Sequence, residues 1–329
     1  MAPTALHALS NRLARIDVRR SATRVGYYLR HGIEDAVVGR RHIDLAAELD
    51  KRSGPDADDI LDRVNYCNRL PPGTANPPGT RLDALRKPRR KSYYYYDLKA
   101  LTRYFDGALS VATLFGDISH IPDQPAILKS RPISDLNANS VVMKLNVLRH
   151  YYLYRDRIPF ERKLPKAVWR GGGPSNPKRK ALVARWGDNP RFDIAFADYR
   201  RLPEGYLAVP QLLRHRYMIS IEGNDVATNL KWIMASNALC LMPRPALETW
   251  FMEGRLQAGV HYVELRNDCE DLAEKVDHYE AHPDEAREII ANANAWVRQF
   301  FDVPRERLIN LLVLRKYFEM TGQLPRQFF

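Results

Sequence analysis

The run Glu222-Gly223-Asn224-Asp225 closes an apolar stretch, Tyr217 to Ile221, and opens a helical pattern, Val226 to Ser236. A turn at the carboxyl end of a strand and the amino end of a helix offers N–H groups and partial positive charge to an anion. Capping by Asn224 or Asp225 accounts for one of these polar residues. It leaves Glu222, Thr228, Asn229 and Lys231 to face a ligand, with Gly223, Val226 and Ala227 shaping the backbone between them. A second turn, Trp169-Arg170-Gly171-Gly172-Gly173, ends a short strand. Its glycines allow a backbone to come close to a ligand. Arg170, Lys178, Arg179 and Lys180 surround it with charge suited to a diphosphate. The turn matches neither a Walker sequence nor GxGxxG, so a purely structural glycine turn is the competing reading. Asp117 follows the apolar run Val111 to Phe115, where a carboxylate at a strand end can serve as a general base. The competing reading there is a loop aspartate bonded to its own backbone. Lys129, Arg131 and Glu248 are further candidates for contact with a phosphate or an acceptor.

The elements that must carry these residues alternate. From Lys166 the pattern predicts strands at Ala167 to Trp169, Phe192 to Phe196, Arg216 to Ile221, Ala238 to Met242 and Val260 to Leu265. Helices are predicted at Lys178 to Trp186, Glu270 to Tyr279, Pro283 to Phe301 and Pro304 to Met320. Alternation over this length argues for an α/β fold with a Rossmann-like parallel sheet. In the first half, residues 1 to about 50 read as helical and arginine-rich, and 70 to 80 as a Pro/Gly-rich loop. Apolar, β-favouring stretches follow at Leu109 to Phe115 and Ala126 to Leu128. Tyr93 to Tyr96 suit a strand with both faces partly buried, and Val141 to Tyr154 is open between helix and strand.

A chain of 329 residues with 45% apolar content can bury two ordinary cores. No apolar run nears the roughly 20 residues of a membrane span, and the N-terminus lacks the apolar core of a secretory signal. Cys67, Cys240 and Cys269 form no CxxC pair, which predicts a reducing compartment and no structural zinc. Asp56-Ala57-Asp58 precedes a helical pattern and reads as first-turn carboxylates rather than a metal-holding pair. The nine histidines show no HExxH or paired-ligand spacing. The net charge of +12 is the compositional oddity, with arginines at 12, 15, 19, 20 and 24 and the run Arg86-Lys87-Pro88-Arg89-Arg90-Lys91. Nucleic acid, an anionic membrane face or an anionic substrate would each explain it, and a solvated basic surface is the competing reading. No nucleic-acid-binding module is visible, which disfavours the first.

VWRGGG (Val168 to Gly173), the strand–turn–helix Tyr217 to Trp232, and GVHYVELRNDCEDLAEKV (Gly259 to Val276) together resemble glycosyltransferase family 90. GDISHIPDQPAILKSRPI, with NSVVMKLNVLRHYY after it, is similar to the bacterial, lipopolysaccharide-core branch in particular. The resemblance covers about residues 100 to 300. It implies an inverting, metal-independent transferase of GT-B architecture, with two Rossmann-like domains facing across a cleft and helices at the C-terminus. On that pattern residues 1–160 form an acceptor-side domain carrying the base, 161–303 a nucleotide-sugar domain, and 304–329 a helix able to pack back on the first. Asp117 takes the place of the family's catalytic aspartate. The family's donor-binding positions fall on Gly172, Lys178 or Arg179, and Asn224 to Asn229; Arg170, Gly171, Glu222, Gly223 and Lys231 stand beside them as donor-binding candidates from the residues themselves. Eukaryotic members carry arginines where this chain has Asn229 and Glu222, so the phosphate charge must be met elsewhere, with Arg179, Lys231 and Arg131 as candidates.

The expectation is therefore transfer from a UDP-sugar, with no metal, to an anionic or lipid-linked saccharide in cell-surface glycan synthesis. A cytoplasmic protein in peripheral contact with an anionic membrane follows from the missing signal and the basic first half. The rival expectations are a basic non-catalytic protein binding RNA or another polyanion, and a transferase acting on protein or capsule polysaccharide.

Overall fold

The computed structural model describes residues 18–52, 54–197 and 205–329. They gather into two compact units, one made chiefly of His150–Pro245 and Arg255–Gln299, the other of Tyr27–Arg149, Ala246–Gly254 and Phe300–Phe329. The architecture is mixed α/β, and each unit holds a parallel sheet. No described helix is long and apolar enough to cross a membrane.

The unit containing most of the first half begins at Tyr27, within helix α1 (Val18–Val37), and continues with α2 (Leu45–Asp50) and α3 (Pro55–Cys67). Arg12 and Arg15 lie outside the described residues. Pro55 opens α3 at its first turn, where its missing N–H is not needed, and Asp56 and Asp58 occupy the same turn. Asp56 pairs with Arg305 (2.7 Å) and Arg52 (3.3 Å), as first-turn carboxylates rather than metal ligands do. A short antiparallel pair, β1 (Thr80–Arg81) with β2 (Ser110–Val111), brackets helix α4 (Ser92–Thr102). The four tyrosines therefore lie on a helix, not a strand. Burial of Tyr94, Leu98 and Leu101 at helical spacing outweighs the β-preference of adjacent aromatics.

β3 (Thr113–Leu114), β4 (Ala126–Leu128) and β6 (Ser140–Val142) form a three-stranded parallel sheet in the order β3-β4-β6. β4 and β6 are fully buried, which accounts for their unbroken apolar character. β5 (Ser130–Pro132) leaves this sheet to pair with a later strand. The open stretch Val141 to Tyr154 resolves into the end of β6 and a single turn, α5 (Val147–His150).

The second unit is a five-stranded, wholly parallel sheet of order β12-β10-β9-β7-β8. Its strands are β7 (Leu164–Gly171), β8 (Phe192–Phe196), β9 (His215–Ile219), β10 (Leu239–Pro243) and β12 (Val263–Leu265). Between them run α6 (Pro177–Trp186), α7 (Val209–Leu212) and α8 (Leu230–Met234), and after β12 come α9 (Leu272–Ala281) and α10 (Pro283–Arg298). Ala167, Trp169, Ile194, Tyr217, Ile219, Leu239 and Leu241 pack with Leu182, Leu272, Val276 and Ile289 into one core. The sheet strands match the sequence expectation to within a few residues. The helix expected from Val226 shrinks to the five residues of α8, because Val226 and Ala227 are drawn into the interior as a turn.

β11 (Leu247–Thr249) pairs antiparallel with β5 in the first unit. The last helix, α11 (Val303–Met320), returns there too and packs on α2, α3 and α4. Nearly every position of α11 beyond its first turn is buried, as expected of a helix wrapped on all sides. Its buried Glu306 is held by Arg63 and Lys144 (2.7 Å each) and by the Trp250 indole N–H (2.7 Å). The Arg63 guanidinium lies over the Trp250 and Phe300 rings, 5.6 and 4.9 Å from their centroids. The three cysteines are buried and free.

Candidate active site

In the five-stranded sheet the chain goes from β7 outward to β8 on one side, then continues with β9, β10 and β12 on the other. The winding thus reverses between β7 and β9. In open parallel sheets a ligand binds at the carboxyl ends of the strands flanking such a reversal, because the two following loops part there. The two turns singled out in the sequence, Gly171 to Gly173 after β7 and Glu222 to Asn229 after β9, are those loops.

Arg179, in the first turn of α6, joins them. Its Nη1 donates to the Gly172 carbonyl (2.8 Å) and its Nη2 to the Ile221 carbonyl (3.1 Å), while its guanidinium lies 5.9 Å from the centre of the Trp169 ring. Gly223 is required for this: a Cβ there would stand 2.8 Å from Arg179 Nη2. Gly173 adopts φ +77°, a conformation natural only to glycine. Asn176 ties the same loops a second way. Its side chain accepts from the Arg179 amide (3.2 Å), capping α6, and its Nδ2 donates to the Gly223 carbonyl (3.0 Å). The sequence reading missed Asn176, although Asn before Pro at a helix start signals a cap.

Other candidates in this unit have structural work. Arg170 turns back along the sheet: it donates to the carbonyls of Asp193 (2.6 Å) and Gly205 (2.7 Å) and pairs with the Asp193 carboxylate. These bonds fasten β7 to β8. Asn229 donates to the Ile219 carbonyl and accepts from the Ser220 hydroxyl (3.1 Å each), which binds the turn to the end of β9. Asp225, Val226, Ala227 and Lys231 are buried, and the Asp225 carbonyl accepts from Gly223 N (2.8 Å). The expected cap of a helix by Asn224 or Asp225 is not formed, since α8 starts only at Leu230. Lys178 and Glu222 form an ion pair at 2.8 Å, so the acidic residue in the turn is matched by a cation of α6. Asn224 is exposed and Thr228 half-buried. What the loops offer an anion is the backbone of Gly171 to Gly173, the amino end of α6, and the field of Arg179.

Asp117 belongs to the other unit, just beyond the carboxyl end of β3 and after Gly116, whose φ is +146°. Lys129 follows β4 and Arg149 follows β6, so all three lie at the carboxyl edge of the small parallel sheet. Lys129 is buried and donates to Asp117 Oδ1 at 3.0 Å, while 42% of the Asp117 side chain is exposed. Lys91 approaches from another side, its Nζ lying 3.1 Å from where a Gly116 Cβ would be. Burial pushes the Asp117 carboxyl up, but Lys129, then Arg149 and Lys91, overcome it and hold the group below the usual carboxylate range. The Tyr94 hydroxyl donates to the Gly116 carbonyl (3.4 Å), and its ring stacks on Phe115 (5.2 Å between centroids). Of these partners the sequence reading had only Lys129. Arg149 and Lys91 are far off in sequence and form no motif with Asp117.

Arg131 and Glu248 were expected to contact a phosphate or acceptor, and neither does so from the surface. Both are fully buried, and they pair with each other at 2.8 Å across β5 and β11. Arg131 further donates to the carbonyls of Tyr66 (2.7 Å) and Ser140 (2.9 Å), and the Tyr66 hydroxyl donates to Glu248. For a metal ion, one group of three His, Cys or carboxylate side chains stands out among the described residues. It is His278, His282 and Glu285, exposed at the junction of α9 and α10, with ligand atoms within 4.8 Å of one another. The four-residue spacing of its histidines is the signal that the sequence reading overlooked.

A family model, Glycosyl transferase family 90, matches residues 141–319. That span contains both loops of the winding reversal and begins after Asp117. The chain is 46% identical over 286 residues to O-glucosyltransferase LpsA of Dichelobacter nodosus, which covers 84% of this chain and 88% of that protein. It is 27% identical over 173 residues to Protein O-glucosyltransferase 3 of Rattus norvegicus, covering 50% of this chain and 34% of the relative. With Protein O-glucosyltransferase 2 of Danio rerio the identity is 22% over 148 residues, 42% of this chain and 29% of that one. The chain thus spans about a third of the length of these two animal relatives.

Proposed function

The chain belongs to glycosyl transferase family 90 and is a glycosyltransferase, and from that premise we propose an inverting transfer from a UDP-sugar to a saccharide acceptor. Glucose is the first donor sugar to test, because the relatives are named O-glucosyltransferases. The observation that carries the reading is the winding reversal between β7 and β9, where two loops from the matched span meet around Arg179.

In the proposed reaction Asp117 takes the proton of the acceptor hydroxyl as that oxygen attacks the anomeric carbon. Lys129 holds Oδ1, so Oδ2 is the oxygen suited to receive the proton. The bond from the anomeric carbon to the UDP oxygen breaks as the new one forms, and its electron pair leaves with the diphosphate. The negative charge gathering there is met by the Gly171–Gly173 backbone, the amino end of α6 and Arg179, with no metal called for in this scheme. One base acting in a single displacement inverts the anomeric centre. A GT-B arrangement of the two units is part of the proposal. Lys91, Lys129 and Arg149 around Asp117 favour an acceptor that carries phosphate, and a lipid-linked saccharide of a lipopolysaccharide core fits that chemistry.

The test is incubation of the purified protein with UDP-glucose and phosphorylated core saccharides, with and without EDTA, and NMR of the product's anomeric proton. Inverted product, formed equally with EDTA, is expected. Retained configuration, or transfer that EDTA abolishes, contradicts the mechanism.

A further inference from the structure

Helix α1 is amphipathic in the reverse of the usual sense. Its inward face is polar and aromatic: the Tyr27 hydroxyl donates to Asp97 (2.5 Å), Asp35 accepts from the Tyr95 hydroxyl (3.0 Å), and His31 stacks on Tyr96 (5.9 Å). Its outward face carries Val25, Leu29, Ile33 and Val37, each four residues from the next and 59–77% exposed. That spacing aligns them in one strip along the helix. An apolar strip turned to water costs free energy, and one this continuous marks a contact surface.

We propose that this strip inserts into the surface of an anionic lipid bilayer. Charge supports this occupant. Arg30 lies on α1 with 76% of its side chain exposed, paired with Glu34 (3.0 Å), and Arg40 follows the helix, 66% exposed and paired with Asp106 (3.1 Å). The run Arg86, Lys87, Arg89, Arg90 and Lys91 is exposed as well. Lys87 lies 5.9 Å over the ring of Tyr96, the same ring that packs on His31, which brings this basic run beside α1. Apolar side chains on one face with arginine and lysine alongside is the composition of a helix lying in a headgroup layer. A second copy of the chain fits less well. Four side chains cover much less than the ~800 Å² per partner of a standard interface. Two-fold pairing would also bring like-charged basic borders together.

This inference is independent of the donor and base assignments, and its test reads binding rather than transfer. The full chain is sedimented with phosphatidylcholine vesicles, with and without phosphatidylglycerol, across a salt series. Binding only to the anionic vesicles, weakened by salt, is expected. Leu29→Glu/Ile33→Glu should weaken it about tenfold with an unchanged melting temperature, since both residues are exposed. Arg89→Glu/Arg90→Glu should weaken it while leaving the apolar strip intact. No binding to anionic vesicles, or binding that neither variant alters, overturns the proposal. So does a wild-type dimer in light scattering that Leu29→Glu/Ile33→Glu dissociates, because the occupant is then a second copy.

Discussion

Asp117 is surrounded by cations, and that sets the pH range in which it would serve as the proposed base. Burial alone would raise its pKa; Lys129, Arg149 and Lys91 reverse the sign. A carboxyl held below the usual range is ionised throughout the neutral region. Transfer that needs the ionised form is therefore lost only as pH falls through that lowered pKa. Lys129→Met removes the nearest cation, so the carboxyl should titrate higher. The acid limb of the kcat/KM profile then moves toward neutral pH relative to wild type. An acid limb that stays in place would mean that another group titrates there. From the apolar run before it, a general base was one of two readings of Asp117 in the sequence, a loop aspartate being the other, and the family resemblance made it the proposed base. Lys129 was read with it, but Lys91 and Arg149 were not, because α4 and the segment after β6 bring them in from distant positions.

At the scale of elements, the loops after β7 and β9 are held by side chain to carbonyl bonds more than by regular structure. Arg179 depends on the absence of a side chain at Gly223. Gly223→Ala should push the guanidinium off the Ile221 carbonyl and weaken UDP binding about tenfold in calorimetry, the effect of losing one charge-assisted bond of about 1.5 kcal/mol. Unchanged affinity would place the diphosphate elsewhere. The pair Arg131–Glu248 illustrates a limit of reading charge from sequence. Basic and acidic residues near candidate catalytic segments look like ligand contacts, yet these two join β5 to β11 in the interior. Glu248→Ala leaves the buried guanidinium without its carboxylate and should cost about 3–5 kcal/mol. This would appear as a lower denaturation midpoint, with KM for the donor unchanged in the protein that remains folded. The strands of the five-stranded sheet were readable because their buried positions are apolar, Ala167 to Trp169 in β7 and all of β10 among them. The tyrosine helix α4 and the short α8 were not, since tertiary burial decided both against local preference.

For the whole molecule, the order of the strands matters more than any one motif. Neither glycine turn is a signature by itself, and the sequence showed only that each follows a strand. The order β12-β10-β9-β7-β8 makes them neighbours at a winding reversal. The family match then assigns the chain a glycosyltransferase activity. Chain order also conceals part of the composition of the units, because β11 joins the unit of the first half from late in the sequence. Donor binding and proton removal are thereby proposed for residues of separate units, which makes them separable by substitution. Asp117→Asn in the full chain, followed by both UDP calorimetry and sugar transfer, tests this most directly. Transfer about 10²–10⁴-fold slower, the contribution of a general base, with UDP affinity unchanged, is predicted. Transfer near the wild-type rate, or UDP affinity that falls along with it, would contradict it.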